Sequence, residues 1–227
     1  MTGPRASRAE ATRALILAAA ERLFAERGVA AVSNRQIGEA AGQGNTAVVG
    51  YHFGAKEDLV RAVVRRHTTR IEGLRAEALA ATEGSTDVRD WVACLVRPLT
   101  DYLDGLGPPT WFARFHAQLT TEPAYREIVT QESLGSPALL ATAEGLDRCL
   151  PDLPAEVRLE RGDMTRLLMV HVCAARERAL AEGAPTPRTT WDATATGLVD
   201  AIVGLWLAPA TVPAGPTGPT ATEGDRA

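Results

Sequence analysis

The chain has 227 residues, 45% of them hydrophobic and 23% charged, with a net charge of −4. That is ordinary globular composition, long enough to bury a core without metal or disulfide staples. No apolar run approaches the roughly 18 residues of a membrane span, and Cys94, Cys149 and Cys173, with no C-x-x-C pair, argue against a disulfide framework or a zinc knuckle.

The first seventy residues hold 11 basic side chains against 6 acidic ones, and the remainder holds 13 against 22. A basic head on an acidic body points to a polyanionic partner for the head alone. Ser7 and Glu10 have the spacing of a capping box. Behind them Leu15, Ala19, Leu23 and Ile16, Ala20, Phe24 repeat every four residues, which predicts a helix over 8–27 stopped at Gly28. Ala14 to Ala20 follow three arginines and faintly mimic a secretory signal. Glu21, Arg22, Glu26 and Arg27 continue the helical period, however, and the segment reads as an amphipathic helix of a cytoplasmic protein.

Ser33 and Gln36 form a second capping box, predicting a short helix over 34–41 closed by Gly42. Asn45 is placed to cap a third, over 46–52, with Val49 and Phe53 inward. Two such short helices joined by a glycine turn cannot bury a core without the first helix behind them, which is a helix-turn-helix pattern. Glu57 and Asp58 open a long helix over 56–81, where the helix dipole favours acid, and Val60, Val64, His67, Ile71, Leu74 and Ala78 keep one face.

Further helices are expected over 86–105, around Trp111 to Leu119, over 123–149 with a break near Gly135-Ser136-Pro137, over 155–182 and over 188–207. In the penultimate one Met164, Leu167, Leu168, His171, Val172 and Ala175 share a face. In the last, Trp191, Ala195, Leu198, Val199, Ile202, Leu205 and Trp206 do. Prolines and glycines without aromatics from Ala208 onward predict a disordered tail. The fold class is all-α: a helix-turn-helix unit over 1–55, a helical body over 56–207 and a tail over 208–227.

The head resembles the tetracycline-repressor (TetR/AcrR) family of transcriptional regulators. The resemblance is carried by Phe24 to Gly28 at the end of the first helix, by the isoleucine and alanines of the second, and above all by the run Tyr51-His52-Phe53-Gly54-Ala55-Lys56-Glu57-Asp58-Leu59. It covers residues 8–67. The turn between Gly42 and Phe53 is one residue longer than the usual family spacing, and Gly50 stands where many members place a phosphate-contacting tyrosine.

The resemblance implies a ligand-responsive repressor that binds a palindromic double-stranded DNA operator as a dimer. Asn45, Thr46, Ala47 and Val48 would face the major groove. Ser33, Asn34 and Arg35 would meet one phosphate at the start of the second helix, and Tyr51, His52 and Lys56 another. Arg5 and Arg8 would reach the flanking backbone from a flexible arm. Arg61, Arg65, Arg66 and Arg70 read as a solvated helix face.

The last two helices are the expected dimer interface, with Trp206 left wet in a monomer. The middle helices are expected to hold a small apolar or amphipathic effector among Trp91, Cys94, Trp111, Phe112, Phe115, His116, Met164, Leu168, His171 and Arg176, although core packing explains each of these equally well. No cofactor, metal or membrane contact is expected. The competing readings are a helical protein-interaction adaptor and an all-α enzyme built on Cys94 or Cys173 with His116 or His171.

Overall fold

A computed structural model describes residues 4–45 and 47–210; Thr46 and the tail from 211 lie outside the described residues. Among those described, every regular element is an α-helix: α1 (Pro4–Arg27), α2 (Asn34–Ala40), α3 (Val48–Phe53), α4 (Lys56–Thr82), α5 (Val88–Leu106), α6 (Phe112–Thr121), α7 (Pro123–Leu134), α8 (Pro137–Cys149), α9 (Ala155–Ala181) and α10 (Trp191–Leu207).

The head is α1 to α3 and the start of α4. Helix α1 starts earlier than its capping box suggests. Pro4 occupies the first turn, where a proline has no amide to lose, so Ser7 lies inside the helix, and Arg5 and Arg8 belong to it rather than to a free arm. The second box forms as expected: Ser33 Oγ accepts from the Gln36 amide at 3.3 Å and the Ser33 amide donates to Gln36 Oε1 at 2.8 Å. Gly28 and Gly42 follow α1 and α2 with φ of +89° and +69°, left-handed conformations that glycine adopts without steric cost. Asn45 does not cap α3 directly. Its Oδ1 accepts from the Ala47 amide at 2.9 Å, an Asx turn, and the helix begins at Val48. Ile37, Val49 and Phe53 are buried in the same core as Ile16, Ala20 and Phe24.

Helix α4 leaves the head and enters the body. Asp58 accepts from the Ala55 amide at 3.3 Å and seals its N-terminus. Val60, Val64, His67 and Ile71 are buried as predicted, but the stripe then drifts: Leu74 is exposed and Arg75 takes the inward position. Two carboxylates stitch the short helices of the body to the long ones. Glu72 of α4 accepts from the Ser136 hydroxyl and, at 2.7 Å, from the Ala138 amide at the start of α8. Glu177 of α9 accepts from the Ala113 and Arg114 amides at 3.2 and 2.9 Å at the start of α6. Each satisfies amides that a helix N-terminus cannot pair internally.

Helix α10 packs on α5 along its predicted stripe, with Arg89–Asp200 and Arg97–Asp192 pairs, each at 2.7 Å, along the seam. Trp206 is buried within its own chain, not wet. Arg161 donates to the Trp206 and Ala208 carbonyls, both at 2.7 Å, and so closes the C-terminus of α10 over the indole. Helix α9 inverts its expected face. Arg161, Thr165, Met169, Cys173, Arg176 and Glu177 point inward, while Met164, Leu167, His171 and Ala175 are exposed and Leu168 is half-buried.

Candidate nucleic-acid interface and ligand cavity

The second and third helices form an outward-facing pair. Gly38 of α2 is buried against α3, where an added Cβ would sit 3.5 Å from Val48 Cγ1. Close approach of the two helices leaves Val48 half-buried and Val49 and Phe53 buried, and turns Gly50 and Tyr51 outward. Ser33, Arg35, Asn45, Ala47 and Tyr51 are exposed; Asn34, Val48, His52 and Lys56 are half-buried; Thr46 lies outside the described residues.

Three basic side chains make contacts on this surface. Arg13 of α1 donates to the His52 carbonyl at 2.7 Å and lies over the Phe53 ring at 4.1 Å. Arg35 meets Glu39 at 3.7 Å along α2. Lys56 donates to the Val29 carbonyl at 2.8 Å, which holds the ammonium at the junction of α1 and α4. Arg61 and Arg65 are not free in solvent: both reach Glu132 of α7, Arg65 Nε at 2.9 Å.

The body encloses a cavity of about 640 Å³, open to solvent on one side. That volume lies in the range of small-molecule sites, and its wall is mainly apolar. Val64, Ile71 and Arg75 line it from α4, Leu95 and Leu99 from α5, Phe112 and His116 from α6, Val129 from α7, Thr142 and Leu146 from α8, Thr165 and Met169 from α9, and Trp206 from α10.

Of the ten candidate ligand residues, Phe112 and His116 line this cavity. Trp91 packs on α8, with its indole N–H donating to the Ser85 carbonyl at 3.0 Å. Cys94 lies 3.4 Å from the Thr142 hydroxyl. Phe115 stacks on Phe24 of α1 at 5.8 Å, and Trp111 precedes α6. Arg176 pins the loop before α10 through the Arg188 and Thr189 carbonyls and lies over Trp191; it borders a separate cleft near Pro108 and Pro109. Met164 and His171 are exposed on α9. Arg75, Thr165 and Trp206, which line the cavity, were not among the ten. A buried arginine and an interior threonine carry no apolar periodicity by which to find them.

The cavity wall touches the head. His67 of α4 stacks on Phe112 at 4.0 Å between ring centroids, its Nε2 lies 2.9 Å from Glu21 of α1, and its Nδ1 lies 2.8 Å from the Tyr102 hydroxyl of α5. All four side chains are buried. Gln118 of α6 adds a bond to the Ala25 carbonyl at 3.1 Å. Phe112 and α6 are thus linked to α1 through His67 and Gln118.

Burial, together with the cation of Arg166 and with His67, pushes His116 down to about 4, so the ring is neutral at neutral pH. The unfolded chain binds a proton near pH 6.5 that folded His116 refuses until about 4. Its contribution is thus complete above pH 6.5 and is lost as pH falls toward 4. Stability is expected to drop across that window by on the order of 1 kcal/mol per pH unit through this residue. Urea unfolding at pH 7, 6 and 5 should show a shallower loss in His116→Gln than in the parent chain. Cys173 goes the other way: burial and the neighbouring Glu177 push its thiol up to about 12, so it stays protonated and is a poor nucleophile.

The model for tetR-family bacterial regulatory proteins matches residues 16–63, which are α1 through the first turns of α4. No curated protein matches the chain. A solved chain described as a tetR family transcription regulator from Shewanella sp. PV-4 superposes with a TM-score of 0.57 at 18% identity, covering 86% of this chain and 96% of that one. The transcriptional regulatory protein RHA5900 superposes with a TM-score of 0.52 at 20% identity, covering 87% of this chain and 100% of that one. At such identities these two report the fold, from head to α10. The head thus matches the model of the tetR family of bacterial regulatory proteins over residues 16–63, and the chain as a whole shares the fold of these two solved regulators.

Proposed function

We propose that the protein is a homodimeric repressor that holds a palindromic operator and releases it when a small apolar or amphipathic molecule fills the body cavity. The observation that carries this reading is the shared wall. Phe112 lines the cavity and stacks on His67, which contacts Glu21 of the DNA-binding head. A ligand that favours a different position of α6 and α4 shifts the spacing of the two heads, and it can do so only by as much as it prefers that state. The reading divides the chain into a DNA-binding unit over 1–55 and an effector and dimer unit over 56–207, with α4 belonging mechanically to both.

Dimerisation through α9 and α10 is supported by the outer face of α9. Met164, Leu167 and His171 are exposed there, with Leu168 half-buried beside them. A helix with one face buried in its own chain and a second apolar stripe in solvent needs a partner for that stripe. A two-fold pair reads two half-sites and doubles the contacts of one small module.

In the DNA unit, Asn45, Thr46, Ala47 and Val48 are assigned to base edges, and Ser33, Asn34, Arg35, Tyr51, His52 and Lys56 to phosphates. A gel shift on the DNA upstream of its own gene, across a salt series, tests the reading, together with the solution mass. Affinity should fall steeply with salt. Tyr51 is 86% exposed, so Tyr51→Ala should leave stability within about 0.5 kcal/mol while weakening binding on all sequences alike. A monomeric mass at working concentration, or a Tyr51→Ala protein with unchanged affinity and salt slope, would count against the respective assignment.

A further inference from the structure

We propose that the effector is an apolar molecule with an anionic head, a carboxylate in the first instance, and that Arg75 is the residue that recognises it. This rests on the cavity being the effector site.

Arg75 is 7% exposed and lines the cavity. Its Nε has no hydrogen-bond partner. Its one ion-pair contact among the described residues, Nη1 to Glu72 Oε2, spans 3.9 Å, too long for a hydrogen bond. Glu72 is directed instead at the start of α8, where its two oxygens accept from the Ser136 hydroxyl and the Ala138 amide. An arginine does not shed its charge in a protein. A buried guanidinium with an open fork is costly unless something completes it, and the group that fits the fork in two parallel bonds is a carboxylate. Burial lowers the Arg75 pKa, the sign expected of a cation that lacks close partners.

Among the charges on the wall, Arg75 is the buried cation without a close partner. Glu132 is held by Arg61 and Arg65, Asp147 pairs with Arg158, Glu144 is exposed, and the exposed Arg166 meets Asp163 at 3.3 Å. Thr165 and Trp206 also line the cavity, each 90% or more buried, and Thr165 Oγ1 and Trp206 Nε1 have no partner. Both are donors that an acceptor-rich molecule would satisfy. The remaining surface is apolar and suits a hydrocarbon body. Because Arg75 stands on α4, the same bond would pull on the helix that joins the two units.

The test uses the full-length chain with Nile red, a neutral apolar dye, bound in the cavity. Its displacement is followed with decanoate, decan-1-ol and decylamine, three chains of one length with different heads. In the parent protein decanoate should displace the dye at a concentration at least ten-fold below that of decanol, with decylamine weakest. In Arg75→Met, checked for folding by circular dichroism, that advantage should shrink to within two-fold while decanol is unchanged. Arg75→Lys should keep part of it. If Arg75→Met does not fold, the parent and Arg75→Lys decide between them, a reduced but retained carboxylate preference being the expected result. Nile red binding with no preference for decanoate over decanol, or a preference that survives in Arg75→Met, overturns the assignment and leaves the cavity reading standing. A dye that does not bind overturns the cavity reading and this assignment with it.

Discussion

Gly145→Ala is expected to cost about 3 kcal/mol of folding stability, at the upper end of overpacking substitutions. Gly145 is buried on α8, and a Cβ built there would lie 2.1 to 2.3 Å from three carbons of the Trp91 ring. Real carbon atoms do not approach so closely, so either the indole or the helix must move. The indole is held from both sides: it is 3% exposed, and its N–H is tied to the Ser85 carbonyl. Helix α8 is held too, because Glu72 caps its first turn. In a chain of this size the melting temperature should fall by roughly 6–12 °C. Trp91→Phe removes the part of the ring that occupies the space. Placed in that background, Gly145→Ala should add much less than it costs alone, a non-additivity expected of residues in contact. Additive costs in the double variant would mean that the close approach is not the cause. The consequence for function is geometric. Helices α5 and α8 both line the cavity, and the bare backbone at Gly145 lets them pack closely on each other.

The features legible in the sequence are those whose cause is local. Ser33 with Gln36 makes its reciprocal bonds because the two positions are three apart on any helix, and Gly42 stops α2 because its left-handed conformation needs no tertiary support. The run from Tyr51 to Leu59 could be recognised for the same reason. What failed was whatever depended on a neighbour. Ser7 and Glu10 have the spacing of a box, but Pro4 lets the helix begin a turn earlier.

Helix α9 is the clearest case. Its periodicity reports an apolar stripe through Met164, Leu167, Leu168 and His171, and cannot say what covers it. The chain's own core takes the opposite face, because Arg161 is needed to cap α10 and Glu177 to cap α6. The cavity was legible only through Phe112 and His116. The polar groups that give it chemical character, Arg75 and Thr165, look like ordinary surface residues until the fold surrounds them.

Glu177→Ala is expected to destabilise the protein by about 3 kcal/mol and to loosen the link between cavity and head. Glu177 is 1% exposed and accepts three hydrogen bonds: the amides of Ala113 and Arg114, and Arg114 Nε at 3.2 Å. No side chain at Trp111 caps α6, so this carboxylate from α9 is what satisfies those amides and opposes the helix dipole. Removing it leaves two buried amides and a guanidinium, only 12% exposed, without their counter-charge. Glu177→Gln keeps the shape and one acceptor but not the charge, and should cost less than alanine. Arg114→Ala should also cost less, because the amide bonds survive it. If Glu177→Ala unfolds within 0.5 kcal/mol of the parent in urea, the capping role is wrong. The functional readout follows from position. Helix α6 carries Phe112 and His116 into the cavity wall and places Phe115 and Gln118 against α1. Under the proposed function, the folded Glu177→Gln protein should show a smaller change in operator affinity without effector than in the effector concentration needed for release, because the head is intact and only the contact between head and cavity has lost its anchor.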